Sequence, residues 1–327
     1  MPRKILLVDA DSVIPNIALC KLNRYHCSKE DEIFFMKLNL PYYPNRKKKH
    51  HHIPTKDFDQ TYCSVVFDGN LPFIHGDNIL FGGTGYDLKT QLPDEIENLQ
   101  PDYSIYPDNS ISYGFITRGC IRNCSFCKVP KKEGYIRKVN EIDHIVQHKK
   151  VKFLDNNILA HPQHMSILSE LADKQIRCQF NQGLDIRLLT SENSVAISSL
   201  QYLGEYIFAL DSVSYIPIVQ KALSEYLQWV KEWRLKFFVY IHPDMPLEDT
   251  TKRLNFLKEN SCLPYVMRDI SCWESSYRDF YTDIAAYCNQ VHLFKKMNFR
   301  YFLERRHHKK ERIENVYSLY LQSGGRF

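Results

Sequence analysis

No apolar run in this sequence approaches the ~18 residues that a bilayer-spanning helix needs. Membrane insertion is therefore not expected. A large excess of one charge is also missing: 43 Lys and Arg stand against 38 Asp and Glu, for a net +5. That balance permits anionic ligands but does not by itself argue for nucleic acid. The early apolar stretch Ile5–Val8 is short and soon interrupted by Asp9 and Asp11, which excludes a secretory signal there and points to the cytoplasm. No Walker or dinucleotide glycine pattern occurs; Gly82-Gly83-Thr84-Gly85 after a strand reads first as a tight turn and second as a close approach to a phosphate. Missing too is any second C-x2-C pair of the kind a structural zinc site requires. What remains is ordinary for a globular protein: 327 residues, 44% hydrophobic and 25% charged. The many Tyr and Phe residues read as core.

The periodicity predicts an α/β chain. A strand at 4–8 leads into a helical pattern at 14–23, with Pro15 in its first turn, and further strands follow at 33–38, 62–67 and 78–81. This is a small Rossmann-like α/β domain over 1–109, interrupted by the solvated basic run Arg46–His52 and closed by a Pro- and Asp-rich stretch at 92–110. Strands expected at 113–118, 151–155, 176–181, 205–210, 236–241 and 264–268 alternate with helical patterns at 139–146, 165–172 and 218–230. Six such units predict a partial (β/α)6 TIM-like barrel over 110–290, with chemistry at the ends of its strands. Residues 291–327 read as a helical cap with a frayed tail.

Ten cysteines in a chain of this size point to metal or redox chemistry rather than a disulfide framework. Seven are scattered. Cys120, Cys124 and Cys127 lie within eight residues, in the spacing C-x3-C-x2-C. Three thiolates on one loop leave one iron of a cubane cluster open, which suits a catalytic site better than a structural one. Gly119 would let the chain turn into the loop, Phe126 would shield it, and Arg118 and Arg122 would offset its charge.

This C-x3-C-x-aromatic-C segment resembles the radical S-adenosylmethionine (SAM) superfamily. Thr117-Arg118-Gly119-Cys120 is further similar to methylthiotransferases and to members that carry an N-terminal cobalamin-binding domain. The resemblance covers roughly residues 110–290. It implies a [4Fe–4S] cluster held by Cys120, Cys124 and Cys127, with SAM on the fourth iron. It also implies reductive cleavage of SAM to a 5′-deoxyadenosyl radical and an electron donor of the flavodoxin or ferredoxin type.

The superfamily's Gly-Gly-Glu-like element has no glycines here; Asp155, Asn156 and Asn157 are the candidates for the methionine ammonium. On the next strand ends, Arg187 is a candidate partner for the methionine carboxylate, Asp185 for Arg187 or a ribose hydroxyl, and Asp211 for ribose. Tyr240 and Ile241 are weaker candidates for adenine, and His242 has no assigned role. The cobalamin motif D-x-H-x-x-G is absent: Asp9-Ala10-Asp11-Ser12 follows the first strand without histidine, so cobalamin is not expected. No catalytic acid or base can be named. The substrate class stays open between a nucleic-acid base, a small metabolite and a peptide. The alternative to an enzyme is a non-catalytic iron–sulfur protein for electron transfer or sensing; a zinc-binding interaction module is disfavoured by the missing fourth ligand.

Overall fold

The computed structural model describes residues 2–42 and 46–327. The protein is a mixed α/β structure with parallel sheets, and its chain divides into two compact units, Met1–Lys152 and Phe153–Phe327. The boundary expected at 109/110 falls inside the first unit.

The first unit begins with β1 (Lys4–Asp9), β2 (Glu32–Lys37), β3 (His51–His52), β4 (Gln60–Ser64), β5 (Ile74–His75) and β6 (Ile79–Gly82). β2, β1, β4 and β6 form one sheet in that order, every pair parallel. β1 is interior to the sheet because it is apolar on both faces: Ile5, Leu6, Leu7 and Val8 are each at most 2% exposed. Alternation sends Leu6 and Val8 into one cluster with Ile53, Cys63 and Ile74, and Ile5 and Leu7 into another with Leu19, Leu22 and Ile96. Each such side chain contributes roughly 1.5–3 kcal/mol by leaving water. The helix joining β1 to β2 spans Ile17–Cys27, later than the expected 14–23. Asn16 sets its start, since its side chain accepts from the Leu19 N–H at 3.2 Å; Pro15 precedes the cap instead of entering the first turn.

The unit continues with β7 (Ser112–Gly114), β8 (Thr117–Arg118), β9 (Arg137–Lys138) and β10 (Lys150–Phe153), which reaches the division. The expected strand 113–118 is thus two short pieces, the second in an antiparallel ribbon with β9. The helix expected across 139–146 shrinks to Ile142–Ile145, because the Val139 and Asn140 N–H groups both donate to the Ile116 carbonyl.

The second unit holds β11 (Arg177–Phe180), β12 (Gln201–Tyr202), β13 (Tyr206–Ala209), β14 (Leu235–Ile241) and β15 (Leu263–Arg268). β11 pairs parallel with β12, and β13, β14 and β15 form a parallel sheet. Helices intervene at His164–Asp173, Ser191–Ser198, Ile216–Lys221 and Leu247–Glu259. The expected 218–230 helix breaks early, passing at 222–226 into a π-helical turn.

Helices Arg278–Cys288, Val291–Lys296, Phe299–Arg306 and Lys310–Gln322 close the chain. The tail is not frayed. Phe327 packs its ring on Tyr287 at 5.7 Å between centroids, and its N–H donates to the Tyr320 hydroxyl at 2.7 Å. Aromatic burial outweighs the loss of chain freedom there.

Candidate functional site

The cysteine loop leaves β8 and returns through β9, both in the first unit. At its entry Gly119 adopts φ +90°, and a Cβ there would stand 2.4 Å from the Tyr135 carbonyl oxygen. Only glycine fits. The Cys120 N–H then donates to the Gly134 carbonyl at 3.1 Å, and the Cys127 N–H to the Cys124 carbonyl at 3.0 Å. The Arg122 N–H points at Cys120 Sγ, 3.3 Å away. Backbone hydrogen bonds therefore shape the loop and present sulfur at its surface.

Exposure separates these cysteines from most of the others. Cys120, Cys124 and Cys127 are half-buried, whereas Cys20, Cys63, Cys178, Cys262, Cys272 and Cys288 are buried. Burial pushes the Cys63, Cys178 and Cys262 thiols up to about 12 and Cys272 to about 11. Those sulfurs stay protonated and inert. Among the described residues, no group of three or more His, Cys, Asp or Glu side chains already stands at metal-holding separation. The loop carries three half-buried cysteines on one short segment.

Two expectations about the loop change. Arg118 turns to carboxylates, Glu97 at 3.0 Å and Glu133 at 3.3 Å, and lies over the Phe115 ring, so its charge is already matched. Phe126 is 39% exposed and shields little as placed. Lys128, next to Cys127, pairs with Asp68 in the loop after β4.

In the second unit, Asp155 and Asn157 are buried and Asn156 is half-buried, just after β10. Asn157 Nδ2 donates to Asp185 Oδ2 at 3.2 Å. Asp185 also grips Arg187, whose Nη1 reaches the Tyr215 hydroxyl at 3.0 Å and whose plane lies over the Tyr215 ring. The structure thus brings Asn157, Asp185 and Arg187 into one hydrogen-bonded group. Asp211 accepts the Tyr240 N–H at 3.0 Å. Burial raises its carboxyl above the usual range, against the lowering pull of that N–H, Arg253 and Arg187.

Arg253 is the residue the sequence reading missed. It is fully buried, and Nη1 donates to the carbonyls of Leu210 at 3.1 Å and Tyr240 at 2.9 Å. It thereby ties the ends of β13 and β14. Its signal was helical spacing: Arg253 shares a stripe with Thr250 and Leu257, both buried. Tyr240 donates its hydroxyl to Asp269 at 2.7 Å, and Ile241 is wholly buried, which directs that side chain into the core. His242 Nδ1 accepts the Asp244 N–H at 3.1 Å, a turn-stabilising role.

Two other sequence features resolve in the first unit. Gly83 takes φ +94° with the Val65 carbonyl oxygen 2.3 Å from its notional Cβ, and Gly85 N–H donates to that same carbonyl at 2.9 Å. These glycines pack one loop on another, which supports the tight turn. At the end of β1, Asp9 and the following Asp11 are buried; Asp11 accepts from the Val66 and Phe67 N–H groups and from Asn70 Nδ2. That end offers no imidazole, and His26 is engaged by Asp31 at 2.7 Å and Tyr62 at 3.2 Å.

No helix among the described residues is long and apolar enough to cross a membrane. No protein-family model, curated protein or solved structure matches the chain.

Proposed function

We propose that this chain is a radical SAM enzyme whose Cys120, Cys124 and Cys127 hold a [4Fe–4S] cluster. The observation that carries the reading is the cysteine loop itself. It presents three half-exposed thiols in C-x3-C-x2-C spacing on a turn that requires Gly119, in a chain whose other thiols, Cys27 apart, are buried. Three ligands leave one iron open. When bound, cluster and SAM supply reductive sulfonium cleavage and a 5′-deoxyadenosyl radical for hydrogen abstraction.

In this reading the alternating strands and helices over 110–290 belong to a partial (β/α)6 TIM-like barrel, and its polar strand ends hold SAM. Arg187 meets the methionine carboxylate, kept in position by Asp185 and Tyr215. Oxygens of Asp155, Asn156 and Asn157 take the ammonium, and Asp211 the ribose. A flavodoxin- or ferredoxin-type donor in the cytoplasm reduces the cluster. The substrate is a nucleic-acid base, a small metabolite or a peptide, and cobalamin takes no part.

Anaerobic reconstitution with iron and sulfide tests the cluster. A brown protein with about four irons and four sulfides per chain is expected. Cys120→Ala, Cys124→Ala and Cys127→Ala should each lose it, and Cys63→Ala should keep it. A colourless protein holding one zinc at these cysteines would overturn the reading.

A further inference from the structure

The strand pair β3–β5 carries three imidazoles on one face. In this parallel ladder His51 stands opposite Ile74 and His52 opposite His75. Side chains alternate along a strand, so His50 and His52 share a face with His75, while His51 shares the opposite face with Ile74. Ile74 is buried in the core of the first unit; His50 and His52 are exposed. The His-x-His pair and its cross-strand partner therefore converge on the outer side of a rigidly backed ribbon.

Their geometry is close. His50 Nδ1 lies 2.7 Å from His75 Nε2, and the two rings are inclined by only 21° with centroids 5.0 Å apart. The nitrogens therefore point at one another, edge to edge. The His52 ring sits 5.0 Å from that of His75, inclined by 29°. Two ring nitrogens can face at 2.7 Å only if one carries a proton and the other does not. A metal ion can replace that proton. Two nitrogens bound at about 2.0–2.1 Å to one tetrahedral zinc stand about 3.3 Å apart, so a parting of about 0.6 Å suffices.

We propose that His50 and His75 form a binding site for a divalent transition-metal ion, zinc by preference, with water completing the shell. Among the described residues no third side chain already stands at metal-holding separation, and His52, beside the His75 ring, joins as a further ligand by turning its imidazole. Imidazole donors select zinc, copper or nickel over magnesium or calcium. No carboxylate belongs to the set, and Lys48 stands nearby, its Nζ on the Gly69 carbonyl at 3.0 Å. The site is cationic when filled, which limits its affinity and favours an ion that binds imidazole strongly. This centre is separate in residues and donor type from the cysteine loop, and it does not depend on the iron–sulfur reading.

Cobalt(II) titration of the full-length chain carrying Cys120→Ala, Cys124→Ala and Cys127→Ala, which leaves no loop thiol to compete, followed by visible absorption, tests it. The expected result is one equivalent of tetrahedral cobalt without a thiolate-to-metal charge-transfer band, displaced by zinc. His50→Ala and His75→Ala should abolish that signal, and His52→Ala should weaken binding by about tenfold. His51→Ala, on the other face, should leave it intact. His50 is exposed, so its variant tests the ligand without disturbing the core. Absence of the imidazole-only signal, or its persistence in both His50→Ala and His75→Ala, would overturn the proposal. So would a signal carried wholly by thiolate bands.

Discussion

Asp185 holds Arg187 through two parallel contacts, Nε to Oδ1 at 2.6 Å and Nη2 to Oδ2 at 3.0 Å. The fork leaves Nη1 pointing at the Tyr215 hydroxyl, and the guanidinium plane over its ring fixes the orientation. Asp185 already matches the Arg187 charge and Tyr215 takes its remaining edge, so a substrate carboxylate reaches this guanidinium by displacing one of these partners.

Arg187→Ala should therefore weaken SAM binding without removing cluster iron. A lost charge-assisted contact costs roughly 1.5–3 kcal/mol, or about ten- to hundredfold in affinity. Arg187→Lys should not restore it, since lysine cannot meet Asp185 with two parallel donors. Equilibrium dialysis against labelled SAM, with iron counted in the same samples, checks this. An unchanged affinity would remove Arg187 from the site.

Thiol reactivity offers a second check. The nucleophile is the thiolate, and burial drives the Cys63, Cys178 and Cys262 thiols to about 12, so their ionised fraction near pH 8 is very small. Iodoacetamide on the native, cluster-free chain should modify exposed Cys27 and the three loop cysteines well before these. Peptide mapping over time reads the order. Raising the pH toward 10 should still leave the buried thiols largely unmodified while the fold persists, because that pH lies below their shifted values.

A third prediction concerns stability. Asp283 is fully buried and meets Arg306 at 3.0 Å, His307 at 2.9 Å and Arg312 at 3.1 Å. It anchors the closing helices by their basic residues. Removing this acceptor strips Arg306 and His307 of their carboxylate and leaves Arg312 with Asp279 at 3.2 Å, so Asp283→Ala should destabilise the chain by about 2 kcal/mol. Urea unfolding followed by circular dichroism measures it. A change below about 0.5 kcal/mol would show the cluster to be solvated and dispensable.

Much of the first sheet was legible in the sequence, because Ile5–Val8 announces a strand buried on both faces and few alternatives satisfy four successive apolar residues. The start of the following helix was not, since Pro15 and Asn16 compete for the same role and only the Asn16–Leu19 hydrogen bond decides between them. The β8–β9 ribbon was invisible: Arg137 and Lys138 have no apolar alternation, and backbone pairing alone makes them a strand. The cysteine loop was legible from spacing, whereas the engagement of Arg118 by Glu97 and Glu133 was not, because those carboxylates are 21 and 15 residues away in sequence. Burial of Arg253 was equally hidden, its partners being carbonyl groups that carry no residue signature.

The central claim rests on SAM chemistry, and one anaerobic assay addresses it. The reconstituted protein is reduced with dithionite, mixed with SAM and analysed by chromatography. The account predicts 5′-deoxyadenosine and methionine in equal amounts, formed slowly even without substrate, and abolished in Cys124→Ala. A fully loaded, reducible cluster that neither binds nor cleaves SAM would contradict it and assign the protein to electron transfer or sensing.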